Sequence, residues 1–290
     1  MKVAIMTDSN SGITQAEGKK LGIFVLPMPF TIDQKEYLED INLTQDEFYN
    51  KLMNNAEVFT SQPAVGEVTH FFNTILEEYD QIVHIPMSSG LSGSCQTAIM
   101  LSQEDEYKDK VFVVDSQRIS VTQKWDVYDA IELAKQGKTG QEIYDILMNN
   151  KMNATIYITV NTLEYLKKGG RVTPAAAALG GLLKIKPILT IQGEKLDSFQ
   201  KTRTMIKARQ IMIDAVLKDL KDRIDPNNDH FENTRLMIAY TYDQEQALEF
   251  KKQVEEIFPN HEIICDPLSL SVACHIGPHS LALAACKKLI

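Results

Sequence analysis

The sequence holds 290 residues, 44% hydrophobic and 24% charged, with 39 acidic against 30 basic side chains and a formal net charge of −9. That length buries a substantial core, as one large domain or two. The acid excess excludes a general binder of nucleic-acid backbones, which needs clustered lysines and arginines. No apolar run approaches the ~18 residues of a membrane span, so the protein is not expected to be membrane-integral.

The opening MKVAIMTDSNSG has one lysine and a short apolar run, too short for a signal-peptide core. Cys95, Cys265, Cys274 and Cys286 are widely spaced with no CxxC pair, which predicts reduced thiols and a cytoplasmic location.

In chain order, KVAIMT reads as a buried strand, followed by the loop DSNSG and a helix from Thr14 to Leu21. IFVLPMPFTI reads as extended, because Pro27 and Pro29 oppose helix. Thr44 to Met53 is predicted helical, with a capping-box pattern at Thr44 and Glu47. QIVHIPM and VFVVD are β-rich runs, each followed by a serine-containing turn and a helical pattern. Strand, polar loop and helix in repetition predict a parallel sheet with crossover helices. The pattern changes near Asn150, so the domains are placed at 1–153 and 154–290, with the final segment free to pack back on the first. In the second, ATIYITV, RLMIAYT and HEIICDP read as strands, and Thr202 to Arg223 and Asp243 to Phe258 as helices.

Parallel sheets bind ligands outside the carboxyl ends of their strands. The hydroxyl-rich segments fall there: Asp8-Ser9, Ser88 to Ser94, and Asp115-Ser116. In SSGLSGS, Gly90 and Gly93 let backbone approach a ligand, and N–H groups with serine hydroxyls favour an anion. Ser92 can be a nucleophile, an anion clamp or a helix cap. The hydrolase elbow G-x-S-x-G fails at Ser94, although the order Ser92, Asp266, His275 matches that of such hydrolases. TSQPA (Thr60 to Ala64) adds two hydroxyls before Pro63. LKKGGRV reads as a helix C-terminus with Gly169 just past the end, and Arg171 lies beyond that stop. Lys201, Arg203 and Lys207 sit near a helix start, where cations oppose the dipole unless an anion is near. His275 and His279 are four apart, but Pro278 intervenes and no HExxH is present, so no metal site is expected.

These segments in this order resemble the DegV family of fatty-acid-binding proteins, in particular the acyl-binding subunits of bacterial fatty acid kinases. The resemblance covers the whole chain: the N-terminal DS, TSQPA for the usual TSQPS, SSGLSGS with QTA, VVDS, LEYLKKGGRV, LLKIKPIL, KTR…KA and HIGPHSLAL. It implies a two-domain α/β fold, with an N-terminal three-layer domain around a parallel sheet and a C-terminal α/β domain. One long-chain fatty acid, such as palmitate, stearate or oleate, lies between the two in that family. The carboxylate ligands it implies are Thr60, Ser61, Ser92 and Gly93, with Arg203 and His275 close by. Arg171 and His279 are implied as partner or phosphate contacts. The implied partner is a separate fatty acid kinase catalytic subunit, with no cofactor besides the bound acid and no autonomous catalysis. The alternatives are a lipid reservoir or transporter without a kinase, and a serine esterase or acyltransferase using Ser92. Two departures stand out: His279 replaces the second glycine of HxGPG, and Ala64 replaces a serine.

The chemistry of such a ligand agrees with these residues. A buried carboxylate needs hydrogen bonds and positive charge, or it protonates. Thr60 and Ser92 can donate the bonds, and Arg203 and His275 are expected to supply the charge. Burying ~15 methylenes at ~0.8 kcal/mol each gives on the order of 12 kcal/mol of transfer energy. The small residues of PAAAALGGLL suit a wall for an acyl chain, and close helix packing equally.

Overall fold

The computed structural model describes residues 1–179 and 185–289. The chain divides into two compact units. The first comprises Met1–Thr44, Glu57–Met152 and Leu289; the second comprises Gln45–Ala56 and Asn153–Lys288.

The elements run β1 (Val3–Asp8), α1 (Gln15–Leu21), β2 (Phe24–Leu26), β3 (Pro29–Ile32), β4 (Lys35–Leu38), α2 (Gln45–Met53), β5 (Val58–Thr60) and α3 (Val65–Leu76). Then follow β6 (Gln81–Ile85), α4 (Gly93–Ser102), β7 (Val111–Val113), α5 (Ser120–Lys135) and α6 (Gly140–Asn150). The remainder is β8 (Ala154–Thr159), α7 (Glu164–Gly169), α8 (Pro174–Ala178), β9 (Lys186–Ile191), β10 (Asp197–Thr202) and α9 (Met205–Asp219). It closes with β11 (Thr234–Tyr240), α10 (Gln244–Ile257), β12 (Ile263–Pro267), α11 (Leu270–Ile276) and β13 (Leu281–Lys287).

The main sheet of the first unit has the order β2-β1-β6-β7, with every pairing parallel. Alternate residues of each strand enter opposite cores, as a sheet covered on both faces requires. Ile5, Val83, Ile85 and Val114 pack with residues of α5 and α6, while Ala4, Met6 and Ile82 pack with α3 and α4. The result is the expected three-layer arrangement. The chain leaves β1 for β2 on one side, then returns to β6 on the other. That reversal puts the crevice of a doubly wound sheet at the carboxyl ends of β1 and β6. A small antiparallel sheet, β4-β3-β5, ends in Thr60, whose strand pairs with β3 through Thr60 opposite Phe30.

The second unit is built on a mixed sheet of order β10-β9-β8-β13-β11-β12. Among its described strands, β11 and β12 pair in parallel and β13 runs antiparallel to both neighbours. One face carries Tyr157, Ile188, Leu236, Ile238, Leu281 and Leu283, packed against α9 and α10. Two of its strands differ from the sequence reading. The expected helix at Thr202 starts later, because Thr202 closes the hairpin of β9 and β10 and Thr204 caps the helix, accepting from Lys207 N. A π-turn, Leu220–Ile224, ends that segment. The C-terminal run has β13 as a central strand buried on both faces. Part of PAAAALGGLL and of LLKIKPIL lies outside the described residues. Among the described residues, no helix is long and apolar enough to cross a membrane.

Candidate functional site

In the first unit the structure gathers four of the predicted segments at one strand edge. Asp8 ends β1 and is buried. Its Oδ2 accepts from Met87 N at 2.8 Å, which ties the DS loop to the turn after β6. Its Oδ1 accepts from Asn10 N at 3.0 Å and from Gln123 Nε2 at 3.1 Å. Burial outweighs these bonds and pushes the Asp8 carboxyl up to about 6. Asp115, after β7, holds the same turn from the other side: Ser89 donates to it from N at 3.1 Å and from Oγ at 2.6 Å. Burial first, and then the charges of the Asp115 and Asp8 carboxylates, raise the Cys95 thiol and disfavour its thiolate.

Ser92 is the N-cap of α4: its Oγ accepts from Ser94 N at 3.2 Å and lies 2.9 Å from Ser94 Oγ. The capping role is thus present in the structure, and the hydroxyl has a neighbouring hydroxyl instead of a base. Gly93 opens the helix, and a Cβ there would lie 3.0 Å from Gln62 Oε1. That glycine therefore admits the TSQPA loop beside SSGLSGS, where Thr97 Oγ1 also donates to Gln62 at 3.4 Å. Thr60 is half-buried and Ser61 exposed; Ser61 N donates to Pro29 O at 3.3 Å, continuing the small sheet. At Ala64 the cap of α3 is half-built. Glu67 reaches back to Ala64 N at 3.1 Å, but alanine has no oxygen to return.

The second unit brings together two other segments by shape. Helix α7 ends one residue later than the sequence suggests: Gly170, not Gly169, is left-handed, with φ 69°. Gly169 serves a different need, since a Cβ there would overlap the His275 ring. Reciprocally, a Cβ at Gly277, φ 76°, would overlap the Tyr165 ring. Each of two rings thus sits over the other segment's glycine. Arg171 curls back so that Nη1 donates to Gly169 O at 2.5 Å, satisfying a helix-end carbonyl.

One expectation is corrected here. His275 does not supply positive charge near neutral pH, because burial, and then the adjacent Arg171, lower its pKa to about 4. Arg203 is exposed in the bend between β10 and α9. His279, in place of a glycine, adopts a left-handed backbone with φ 59°. Its ring meets Tyr242 edge-on at 4.9 Å, and Nδ1 lies 3.6 Å from Asp243 Oδ2. Burial raises Asp243, but hydrogen bonds from Gln246 and His279 leave it below the usual carboxylate value.

The sequence reading missed Gln123, a fully buried glutamine on α5. It missed Gln62 as a packing partner of Gly93 as well. Neither had a signal of its own, since a glutamine in a helix or loop is most often solvated.

A three-layer parallel-sheet unit followed by a mixed-sheet unit defines a two-unit α/β protein, doubly wound in its first half. The chain belongs to the DegV family: the model of that family, described as an uncharacterised protein family, matches residues 2–288. A DegV domain-containing protein of Staphylococcus aureus is 30% identical over 287 residues, covering 99% of each chain. A fatty-acid-binding DegV family protein from Thermus thermophilus superposes with a TM-score of 0.88 at 28% identity, covering 99% of this chain and 100% of that one. DegV of Bacillus subtilis, described as a fatty acid binding protein, gives 0.84 at 27% identity, with 99% and 100% covered. A stearic-acid-binding protein from Eubacterium ventriosum gives 0.87 at 25% identity, with 99% and 98% covered.

Proposed function

We propose that this protein binds one long-chain fatty acid and presents its carboxylate to a separate ATP-dependent kinase in the cytoplasm, which forms the acyl phosphate. The observation that carries the reading is the convergence of the DS, TSQPA, SSGLSGS and VVDS loops on one strand edge, with Gly93 packed on Gln62. Hydroxyls, N–H groups and close-approaching backbone at a helix start suit a carboxylate. The three solved relatives described above are named as fatty-acid or stearic-acid binders, which supports this choice of ligand. In this reading Thr60, Ser61, Ser92 and Gly93 bind the carboxylate. Arg203 supplies positive charge, His275 acts as a neutral hydrogen-bonding ring, and Arg171 and His279 face the partner. The cations would neutralise charge that develops during phosphoryl transfer.

The esterase alternative loses its base. A histidine held at about 4 is a weak proton acceptor for a serine hydroxyl near neutral pH.

Mass spectrometry of a solvent extract from the purified native protein tests the binding claim. Stoichiometric long-chain fatty acid is expected. An empty extract together with no uptake of added palmitate or oleate overturns it. Ser92→Ala should retain lipid more weakly, by about tenfold for one lost charge-assisted bond, and yield no covalent acyl adduct. A pull-down with a candidate kinase, followed by an acyl-phosphate assay, separates kinase presentation from a lipid reservoir.

A further inference from the structure

Beneath the SSGLSGS turn, Gln123 projects from α5 into the ends of β1 and β6 and is fully buried. Its carboxamide nitrogen faces three oxygens at once: Asp8 Oδ1 at 3.1 Å, Ile85 O at 3.1 Å and Thr7 Oγ1 at 3.2 Å. All three must accept. The Thr7 hydroxyl already donates to Ile85 O at 2.8 Å, a carbonyl has no proton, and the Asp8 carboxyl has none to give once ionised above about 6. The surrounding acceptors therefore fix which way the amide points. Among the described residues, its oxygen, Oε1, is buried with no hydrogen-bond partner. Leaving that carbonyl unmet is unfavourable, so the donor side must hold the side chain in place.

The bonds form a chain with a direction. Gln123 grips β1 through Thr7 and Asp8, and β6 through Ile85, at the crevice where the sheet reverses its winding. Asp8 passes the constraint on through Oδ2 to Met87 N, the first residue of the turn proper. Ser88 Oγ and Ser92 Oγ then accept from Gly90 N and Ser94 N within that turn.

We propose that Gln123 is a positioning residue: its carboxamide donors lock the ends of β1 and β6 and the Asp8 carboxylate, so that the Met87–Ser94 turn stands in its binding geometry before a ligand arrives. The inference rests on the fatty-acid reading only for the kind of ligand. A glutamine that merely filled space would be replaced without loss by methionine, which has a similar volume. A glutamine that donates cannot be replaced by glutamate while that glutamate is ionised, because a fourth acceptor would face three others.

The test compares delipidated full-length wild type, Gln123→Glu and Gln123→Met at pH values of about 8 and about 5.5. Amide hydrogen exchange is read at Met87 and through Ser92, and oleate affinity is read separately. In Gln123→Glu, the Met87 amide is expected to lose at least about tenfold in protection at the higher pH, with oleate affinity falling in parallel. Both should recover most of the loss at the lower pH, where a proton on either of the facing carboxyls joins them; each value is taken relative to wild type at the same pH, because Asp8 itself titrates at about 6. Gln123→Met should lose both at either pH. Wild-type protection of Met87 in Gln123→Met overturns the proposal, as does an equal, pH-independent loss in both variants. Failure of wild type to take up oleate counts against the fatty-acid reading, while the exchange arm still decides the role of Gln123. If Gln123→Glu does not fold, Gln123→Met carries the test: lost Met87 protection in a folded protein supports the proposal, and wild-type protection overturns it.

Discussion

In the first unit, segments far apart in sequence are joined by directional hydrogen bonds: Asp8 to Met87, Asp115 to Ser89, Gln123 to three oxygens. In the second, the KKGGR and HIGP segments are joined by interlocking shapes, each ring resting on the other's glycine. Bonds of the first kind respond to protonation and to donor–acceptor swaps; contacts of the second respond to added volume. The same perturbation should therefore act unequally on the two units.

The largest effect is expected from volume. Gly169→Ala drives a methyl into the His275 ring, and should cost about 3 kcal/mol in denaturant unfolding. Adding His275→Ala opens the space and should recover more than half of that loss. A double variant no more stable than Gly169→Ala would break the interlock picture.

Protonation comes next: His275 of the second unit carries the same downward shift as His84 of the first, and the first unit sets a raised carboxyl, Asp8, against it. His84 is buried, and burial lowers its pKa from 6.5 to about 4. Between those values the unfolded chain binds more protons, so the contribution is complete above the unfolded pKa and is lost as pH falls toward the folded one. That amounts to about 2 kcal/mol between pH ~7 and pH ~5. Asp8 acts in the opposite sense. Its pKa rises from 3.8 to about 6 on folding, so its contribution is complete at acid pH and is lost as pH rises through that window. Over the same interval it offsets about 1 kcal/mol of the histidine effect. His84→Gln should flatten the acid slope of stability and Asp8→Asn should steepen it; denaturant midpoints across that pH range check both.

The smallest contrast lies at His279. With φ at 59°, alanine pays the left-handed penalty without the ring contacts, whereas glycine escapes it. His279→Gly should therefore unfold at higher denaturant than His279→Ala, by about 1 kcal/mol. Equal midpoints would show that the backbone there carries no strain.

The elements read best from sequence were those whose apolar run stops at a Ser, Gly or Asp, as in β1, β6 and β7. The break itself marks the strand end, and the strand end marks the edge. The β9–β10 hairpin was illegible because DSFQKT is a polar, mostly exposed edge strand with a register shift between Ser198 and Gln200. Strand β13 was missed for the opposite reason. Buried on both faces, LALAACK has no alternation to reveal it. At the candidate site, residue types and loop placement were legible, but the ionisation state of His275 was not. It depends on burial and on Arg171, which only the fold brings near.

Helix α2 has a consequence for how the protein is made. Its buried Phe48, Tyr49 and Leu52 belong to the second unit, where Gln45 Nε2 donates to Leu268 O and the Tyr49 ring meets Tyr242. Yet this helix is synthesised within the first unit's stretch of chain, some 100 residues before Asn153 begins the rest of its own. During translation its apolar face must wait, unpaired, while β5 through α6 are completed around it, a window in which a nascent chain is exposed to misassembly. Ordered biosynthesis is thus a demand this topology places on the cell, independent of any ligand.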